Sequence, residues 1–229
     1  MMLQQFFGLE ARRKRLLRKA PEGPLKNFLS VPFPDPKSLI EDTPILAVDF
    51  ETTGLNPVKD QILSVGSLDI NNNEIVLSSA YHQVVCVEGD LKEANVVIHQ
   101  ITDDTKAMGE TLEQVITDLL NALAGKVMLV HFARIEKSFL QRACKQLWGI
   151  APVFPVIDTL MIAKRRLDKR GLPYAPAELR LSNLRDWHEL PQYYAHNALI
   201  DALATAELLM AEIELTKPQV SPSLKSILL

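Results

Sequence analysis

The sequence predicts an α/β fold, a mixed β-sheet with helices packed on it, from three observations. Short apolar runs of strand type come first, strand and helix alternate after them, and the helical stretches carry apolar residues at helical spacing. The 229 residues suit one compact domain with short extensions, near the upper size for a single hydrophobic core. A hydrophobic fraction of 47% and a charged fraction of 23% are those of a globular chain, neither disordered nor fibrous.

Residues 1 to about 19 read as a basic helix. Pro21, Pro24, Pro32, Pro34, Pro36 and Pro44 then predict a connector without regular structure. Residues 1–43 are therefore expected to form an N-terminal extension, 44–216 the main domain and 217–229 a tail without clear pattern. Within the domain, Ile45 to Phe50, Gln61 to Ile70 and Glu74 to Val87 read as an antiparallel meander, with Asn71, Asn72 and Asn73 turning between the last two. Thr111 opens a helix with capping-box spacing to Gln114, Gly125 stops it, and Leu112, Val115, Ile116, Leu119, Leu120 and Leu123 form its apolar stripe. A buried strand from Lys126 to Val130 precedes a helix from about Arg134 to Trp148. Further helices are expected around Asp158 to Leu167, after a cap at Ser182, and from about Asn197 to Leu215.

Charge is distributed unevenly. Seven cations before residue 27 (Arg12, Arg13, Lys14, Arg15, Arg18, Lys19, Lys26) face only Glu10 and Glu22, so this segment carries +5 of a net charge of -3 and leaves -8 for the remainder. An acidic body binds a polyanion poorly unless cations sit in its site or basic patches assist. Cys86 and Cys144 lie 58 residues apart without paired spacing, which excludes a disulfide framework and a cysteine zinc site. With no apolar run of membrane-span length and no signal-peptide pattern, a cytoplasmic, non-membrane protein is expected.

Chemistry concentrates in three places. In Ile45-Leu-Ala-Val-Asp-Phe-Glu-Thr-Thr-Gly54, strand alternation puts Asp49 and Glu51 on one face while Val48 and Phe50 point into the core. Two like charges at a strand end are costly without cations, and hard divalent ions prefer such oxygen ligands; the other reading of this segment is a solvated strand end. Gly54 permits a tight turn or a close backbone approach to substrate. In His131-Phe-Ala-Arg-Ile-Glu136, Glu136 either points at a site or caps the first turn of a helix. In His196-Asn-Ala-Leu-Ile-Asp201, a spacing of five places the two side chains about 140° apart on one helix, so they converge only if His196 lies on the loop before it. Ala198, Ala202 and Ala204 would let that helix approach the sheet closely.

Together the three segments resemble the DEDDh, or DnaQ-like, family of 3′-5′ exonucleases over about Ile45 to Leu209. Asp49 and Glu51 match its Asp-x-Glu-Thr-Thr-Gly motif, Glu136 stands at the aspartate of its second motif, and Asp201 is its last aspartate with His196 five residues before. Ile98-His-Gln-Ile-Thr102 resembles a segment that lies against the substrate's 3′ end, and Ile157-Asp-Thr-Leu160 a recurrent scaffold segment. The departure is Glu136, which keeps the charge but adds a methylene and so reaches further.

The resemblance implies a ribonuclease H-like mixed β-sheet with helices on both faces. It also implies two divalent ions, Mg²⁺ or Mn²⁺, about 3.5 to 4 Å apart, stabilising the attacking and leaving oxygens of an in-line displacement. Asp49, Glu51, Glu136 and Asp201 would be the metal ligands, with Asp49 bridging, and His196 would take the proton from the attacking water. Thr52, Gly54, His99 and Thr102 would bind substrate. The expected reaction releases nucleoside 5′-monophosphates from single-stranded 3′ ends, DNA in preference to RNA. Two rival readings are an RNA-trimming exoribonuclease and a catalytically impaired nucleic-acid-binding module.

Weaker features keep two readings each. Lys164, Arg165, Arg166, Lys169, Arg170, Arg180 and Arg185 are either phosphate contacts or a solvated basic face, and Tyr193 and Tyr194 either stack on bases or pack. The N-terminal basic helix either docks on an acidic protein partner, contacts nucleic acid, or packs on its own domain through Phe6, Phe7, Leu9, Leu16 and Leu17.

Overall fold

The computed structural model describes residues 2–87, 108–171, 173–194, 196–216 and 221–229. Five strands lie in the order β3-β2-β1-β4-β5, where β1 is Ile45–Thr52, β2 Ile62–Asn71, β3 Glu74–Val84, β4 Val127–Val130 and β5 Val156–Asp158. The meander β1-β2-β3 is antiparallel, whereas β4 and β5 continue the sheet in parallel. Asn72 and Asn73, both in the left-handed region, make the β2-β3 turn, and asparagine is among the residues that tolerate it best.

β1 separates two apolar layers by simple alternation. Leu46, Val48 and Phe50 face one layer, into which α3 (Leu112–Leu123) and α4 (Arg134–Trp148) pack with Ile116, Leu120, Phe139 and Leu140. Ile45 and Ala47 face the other, where α7 (Ala198–Thr216) packs with Ala202, Ala206 and Leu209. Helices therefore cover both faces of a mixed sheet, as the sequence predicts. Between them in sequence lie α5 (Thr159–Arg170), a 3₁₀ turn (Pro176–Leu179) and α6 (Leu181–Trp187). No helix among the described residues is long and apolar enough to cross a membrane.

Several local signals act differently from their sequence reading. Thr111 does cap α3, its hydroxyl accepting from the Gln114 backbone N–H at 3.2 Å, but the Gln114 side chain donates forward to Asp118 rather than back, so only half of a capping box forms. α6 starts one residue before Ser182, with Arg180 at the cap position and no side-chain cap bond. Within the proline-rich stretch, α2 (Pro24–Ser30) forms because Pro24 occupies its first turn, where the missing N–H is no loss. Leu25, Phe28 and Leu29 of α2 are buried in the same layer as Val48 and Phe50. At the other end, a short α8 (Leu224–Ile227) buries Leu224 against Ile45 and Ala47's layer, and Leu228 bridges to Ile157 of β5.

The basic helix α1 (Met2–Leu17) lies on its own domain. Leu9, Leu16 and Leu17 pack against the α3/α4 layer. Arg13 is buried, paired with Glu10 at 2.6 Å, donating to the Leu29 carbonyl, and set over the Phe33 ring. A buried cation with all three of its nitrogens engaged is a structural tie, and Arg12, Lys14, Arg15, Arg18 and Lys19 stay on the exposed side.

One glycine sets the distance between α7 and the sheet. Gly66 of β2 pairs with Asp49 in the strand register, and a Cβ placed there would lie 2.1–2.3 Å from backbone atoms of Ala198 and Leu199. The first turn of α7 thus rests on bare strand backbone beside Asp49. Gly66→Ala is expected to force the helix outward and lower the unfolding free energy by about 1–3 kcal/mol, the usual range for overpacking, measured by urea denaturation.

Candidate active site

Strand alternation places Asp49 and Glu51 on the α7 side of β1, continuing the row of Ile45 and Ala47. Asp201, in the first turn of α7, meets them there: ligand oxygens of Asp49, Glu51 and Asp201 all lie within 4.8 Å of one another. Glu51 is buried, and Asp49 and Asp201 are half-buried.

The fourth acid arrives from α4. Glu136 sits in its first turn, 3% exposed, and its Oε2 has no hydrogen-bond partner among the described residues. Burial pushes its carboxyl up to about 8, with the neighbouring Asp158 charge adding to the effect and a backbone N–H opposing it. Asp49 is raised well above the ordinary carboxylate range, first by burial and then by the charges of Glu136, Asp201 and Glu51. Asp201 is raised by burial and by Glu51, against the pull of the His196 N–H. The electrostatics therefore join all four acids, although the tight triplet is Asp49, Glu51 and Asp201. A buried carboxylate oxygen without a donor beside three crowded acids suits hard divalent cations.

His196 lies on the loop two residues before α7, the placement that convergence with Asp201 requires. Its φ of 71° is left-handed, and its backbone N–H donates to Asp201 Oδ2 at 2.9 Å. Asn197 caps the helix, its Oδ1 accepting from Leu199 and Ile200 at 3.1 and 3.2 Å. His196, Asp49 and Asp201 open onto a cavity of about 500 Å³ whose rim includes Arg180, Gln192 and Tyr193.

The turn after β1 is closed by Asp60. Its carboxylate accepts from the Asn56 N–H at 2.8 Å and lies 3.4 Å from the Thr53 hydroxyl. A Cβ on Gly54 would meet that carboxylate at 2.5–2.8 Å, so the space glycine leaves is filled by Asp60. The Thr52 hydroxyl donates to the Gly54 carbonyl at 2.7 Å. His99 and Thr102, the expected contacts to a substrate end, lie outside the described residues.

Asp158 organises the far side. Its two oxygens accept from Phe132 and Ala133 at 3.0 and 2.9 Å, and Oδ1 also accepts from Leu160 at 3.0 Å, capping α5. The carboxylate thereby fixes the β4-α4 turn, where Phe132 is left-handed at φ 72°, and so aims Glu136. His131 ties the same turn to the 3₁₀ segment: Nε2 faces the Leu179 carbonyl at 3.0 Å and Nδ1 faces Thr159 Oγ1 at 2.8 Å. A carbonyl only accepts, so Nε2 carries the hydrogen of the neutral ring, and Nδ1 faces the Thr159 hydroxyl, which also lies 3.3 Å from the Val130 carbonyl. Burial holds the His131 imidazole below its ordinary pKa, which favours this neutral form.

Much of the basic stretch is committed to structure. Lys164 pairs with Asp168 at 2.7 Å, Arg166 grips buried Glu212 through two nitrogens, and Arg185, buried on α6, pairs with Glu207 at 2.8 Å. Tyr193 packs against Arg185, while Tyr194 is 95% exposed. Asp158, Gly66 and Arg185 are supporting residues whose site roles the motif reading did not assign.

Without divalent cations the crowded acids make stability depend on pH. Glu136 has a folded-state pKa of about 8, above the ordinary 4.5, so its contribution is present below the lower value and is lost as pH rises through the upper one. Glu136→Gln removes that loss. In EDTA, the thermal midpoint of Glu136→Gln is expected to exceed the parent's by a margin that widens from pH 5 to pH 8, reaching several degrees; a margin that stays constant refutes the linkage.

Comparisons with known proteins agree with this fold. The family profile described as exonuclease matches residues 46–209. The chain is 28% identical over 180 residues to a PolC-type DNA polymerase III of Thermotoga petrophila, a match covering 79% of this chain but 12% of that protein. A 3′-5′ exonuclease DinG of Staphylococcus haemolyticus is 26% identical over 168 residues, covering 73% of this chain and 18% of the relative. Among solved structures, the nuclease domain of 3′hExo, a DEDDh family member bound to rAMP, superimposes with a TM-score of 0.65 at 16% identity, covering 77% of this chain and 94% of that one. At that identity the likeness is one of fold.

Proposed function

The chain belongs to the exonuclease family whose profile spans residues 46–209, and from that premise we propose that it hydrolyses phosphodiesters from the 3′ end of DNA, releasing nucleoside 5′-monophosphates. The observation that carries this reading is the convergence of Asp49, Glu51 and Asp201 within 4.8 Å, with the His196 N–H on Asp201 and with Asp49 and Asp201 opening onto the cavity that His196 also lines. The 3′-5′ direction is supported by the DinG relative, whose name carries it, and the preference for DNA by the polymerase relatives. Since the chain spans about an eighth of the polymerase's length, those whole-protein activities come to it only as part of this proposal.

Asp49, Glu51, Asp201 and Glu136 would hold two divalent cations, Mg²⁺ or Mn²⁺. Such cations stabilise the attacking and leaving oxygens of an in-line displacement and offset the repulsion among the four acids. His196 takes the proton from the attacking water; it sits on an exposed loop at the cavity, where a ring nitrogen of a neutral imidazole can accept a proton. Its backbone N–H holds Asp201 in place, so one residue orients a ligand and carries the base. Thr52 and Gly54 stand at the end of β1 beside the acids, and Arg180 offers an exposed cation for a phosphate at the rim. His99 and Thr102 remain the proposed contacts to the terminal nucleotide, and single-stranded 3′ ends the proposed partner.

The test is purified protein on matched 5′-labelled single-stranded DNA and RNA, with Mg²⁺ or Mn²⁺. Products should shorten stepwise from the 3′ end, and EDTA should stop the reaction. Asp49→Asn is expected to lose activity by at least about 10³-fold and His196→Ala by roughly 10²–10⁴-fold. Faster loss of RNA would convert the reading to an exoribonuclease. Absence of metal-dependent mononucleotide release on either substrate would leave only a binding module.

A further inference from the structure

The segment between α6 and α7, which delivers His196, is pinned by three side chains that no catalytic motif includes. Arg185 on α6 is 4% exposed in its side chain, and both of its terminal guanidinium nitrogens are engaged by protein atoms. Nη1 donates to the Ala204 carbonyl at 2.8 Å, Nη2 donates to the Pro191 carbonyl at 2.7 Å, and Nη2 also lies 2.8 Å from Glu207 Oε2. Its Cζ stands 4.6 Å from the centre of the Tyr193 ring, and the Tyr193 hydroxyl donates to Glu207 Oε1 at 2.8 Å. The two oxygens of Glu207, on α7, are thus divided between Arg185 and Tyr193. Two points of the incoming chain, the Pro191 carbonyl and the Tyr193 side chain, are fastened to neighbouring helices just before His196.

His196 needs such fastening. Its left-handed backbone is unfavourable for a residue with a side chain, and such a conformation persists only where the surroundings over-determine it. The bond from its N–H to Asp201 restrains the exit, and the Arg185-Tyr193-Glu207 group restrains the entry.

We propose that Arg185, Tyr193 and Glu207 form a clasp that positions the His196 imidazole for proton transfer, making Tyr193 and Glu207 positioning residues of this nuclease. The inference rests on the assignment of His196 as the base. Tyr193 here serves the chain rather than a nucleobase: its hydroxyl is taken by Glu207 and its ring carries the guanidinium of Arg185. Loss of the clasp leaves the acids and the cavity in place but lets the strained residue relax, so turnover falls while substrate affinity does not.

The experiment uses the full chain with Mg²⁺ on 5′-labelled single-stranded DNA. Tyr193→Phe keeps the ring over Arg185 and deletes the hydroxyl, and Glu207→Gln keeps an acceptor for Tyr193 while removing the charge. Each should lower kcat roughly tenfold with KM within about twofold of the parent. In a His196→Ala background the same substitutions should change the residual rate less than about twofold, because residues acting through one group are not additive. Histidine NMR reads the same effect without turnover: the His196 ring resonance, assigned by its absence in His196→Ala, should shift or broaden in Tyr193→Phe while that of His82 stays. An unchanged kcat, a loss confined to KM, an equal fall in the His196→Ala background, or an unmoved His196 resonance would each overturn the clasp. A His196→Ala protein with parental kcat would instead overturn the base assignment itself, and the clasp with it.

Discussion

Four carboxylates gathered in one place repel each other, and the fold is arranged to hold them there nonetheless. The decisive contact is that of α7 with the sheet. Asp49 and Glu51 are fixed by the alternation of β1, so Asp201 joins them only if its helix comes close to the strands. Gly66, opposite Asp49 in the register, leaves no side chain to hold the first turn of α7 away at that point, and Ala198, Ala202 and Ala206 keep the helix surface equally bare. Close packing of small residues gains dispersion contacts along the whole first half of the helix, which offsets an electrostatic cost confined to its first turn. The helix thus carries Asp201 into a place that charge alone would oppose.

The same logic governs the other elements around the site. The turns that deliver Glu136 and His196 are each held by a buried polar side chain with several partners. Asp158 accepts three backbone N–H groups from two turns, and His131 joins the end of β4 to the 3₁₀ segment. Arg185 joins α6, the loop after it and α7. Buried polar groups are costly unless satisfied, so each such group selects one arrangement of its turn. Of the non-glycine residues with left-handed backbone, Phe132 and His196 stand just before the two helices that deliver Glu136 and Asp201, and in both cases a carboxylate accepts the N–H of that residue.

Sequence patterns foretold these groups unevenly, for physical reasons. The facing of Asp49 and Glu51 was legible because strand alternation is local, and the angular spacing of a helix set the condition that His196 lie before α7 if it is to meet Asp201. The role of Gly66 was hidden because nothing in Ser64-Val-Gly-Ser67 says which element will press on it, and close approach is a tertiary fact. Arg185 read as a surface cation because burial with Glu207 and two carbonyls depends on helices brought together from elsewhere. The proline-rich stretch read as irregular, yet Pro24 begins a helix, since proline is excluded from a helix interior and not from its first turn. Likewise the C-terminal residues lack a long periodic pattern but bury Leu224 and Leu228, two anchors too few for a moment to reveal.

The origin of the acids has a further consequence. Asp201 belongs to the helix on one face of the sheet, while Glu136 belongs to α4, whose Phe139 and Leu140 are rooted in the layer on the other. Both reach the end of β1, so the site is the place where the two layers touch through charge rather than through apolar packing. Repulsion there works against the cohesion of both layers at once. Under the reading proposed, cations bound to these acids would convert that repulsion into attraction and join α4, β1 and α7 at a single point. Metal affinity and the stability of the fold then become one linked equilibrium, because whatever binds only the assembled acids favours the assembled state. The longer reach of Glu136, the residue that departs from the family's aspartate, lies across this junction, so it affects not only how a cation is held but how firmly the two halves of the molecule are drawn together.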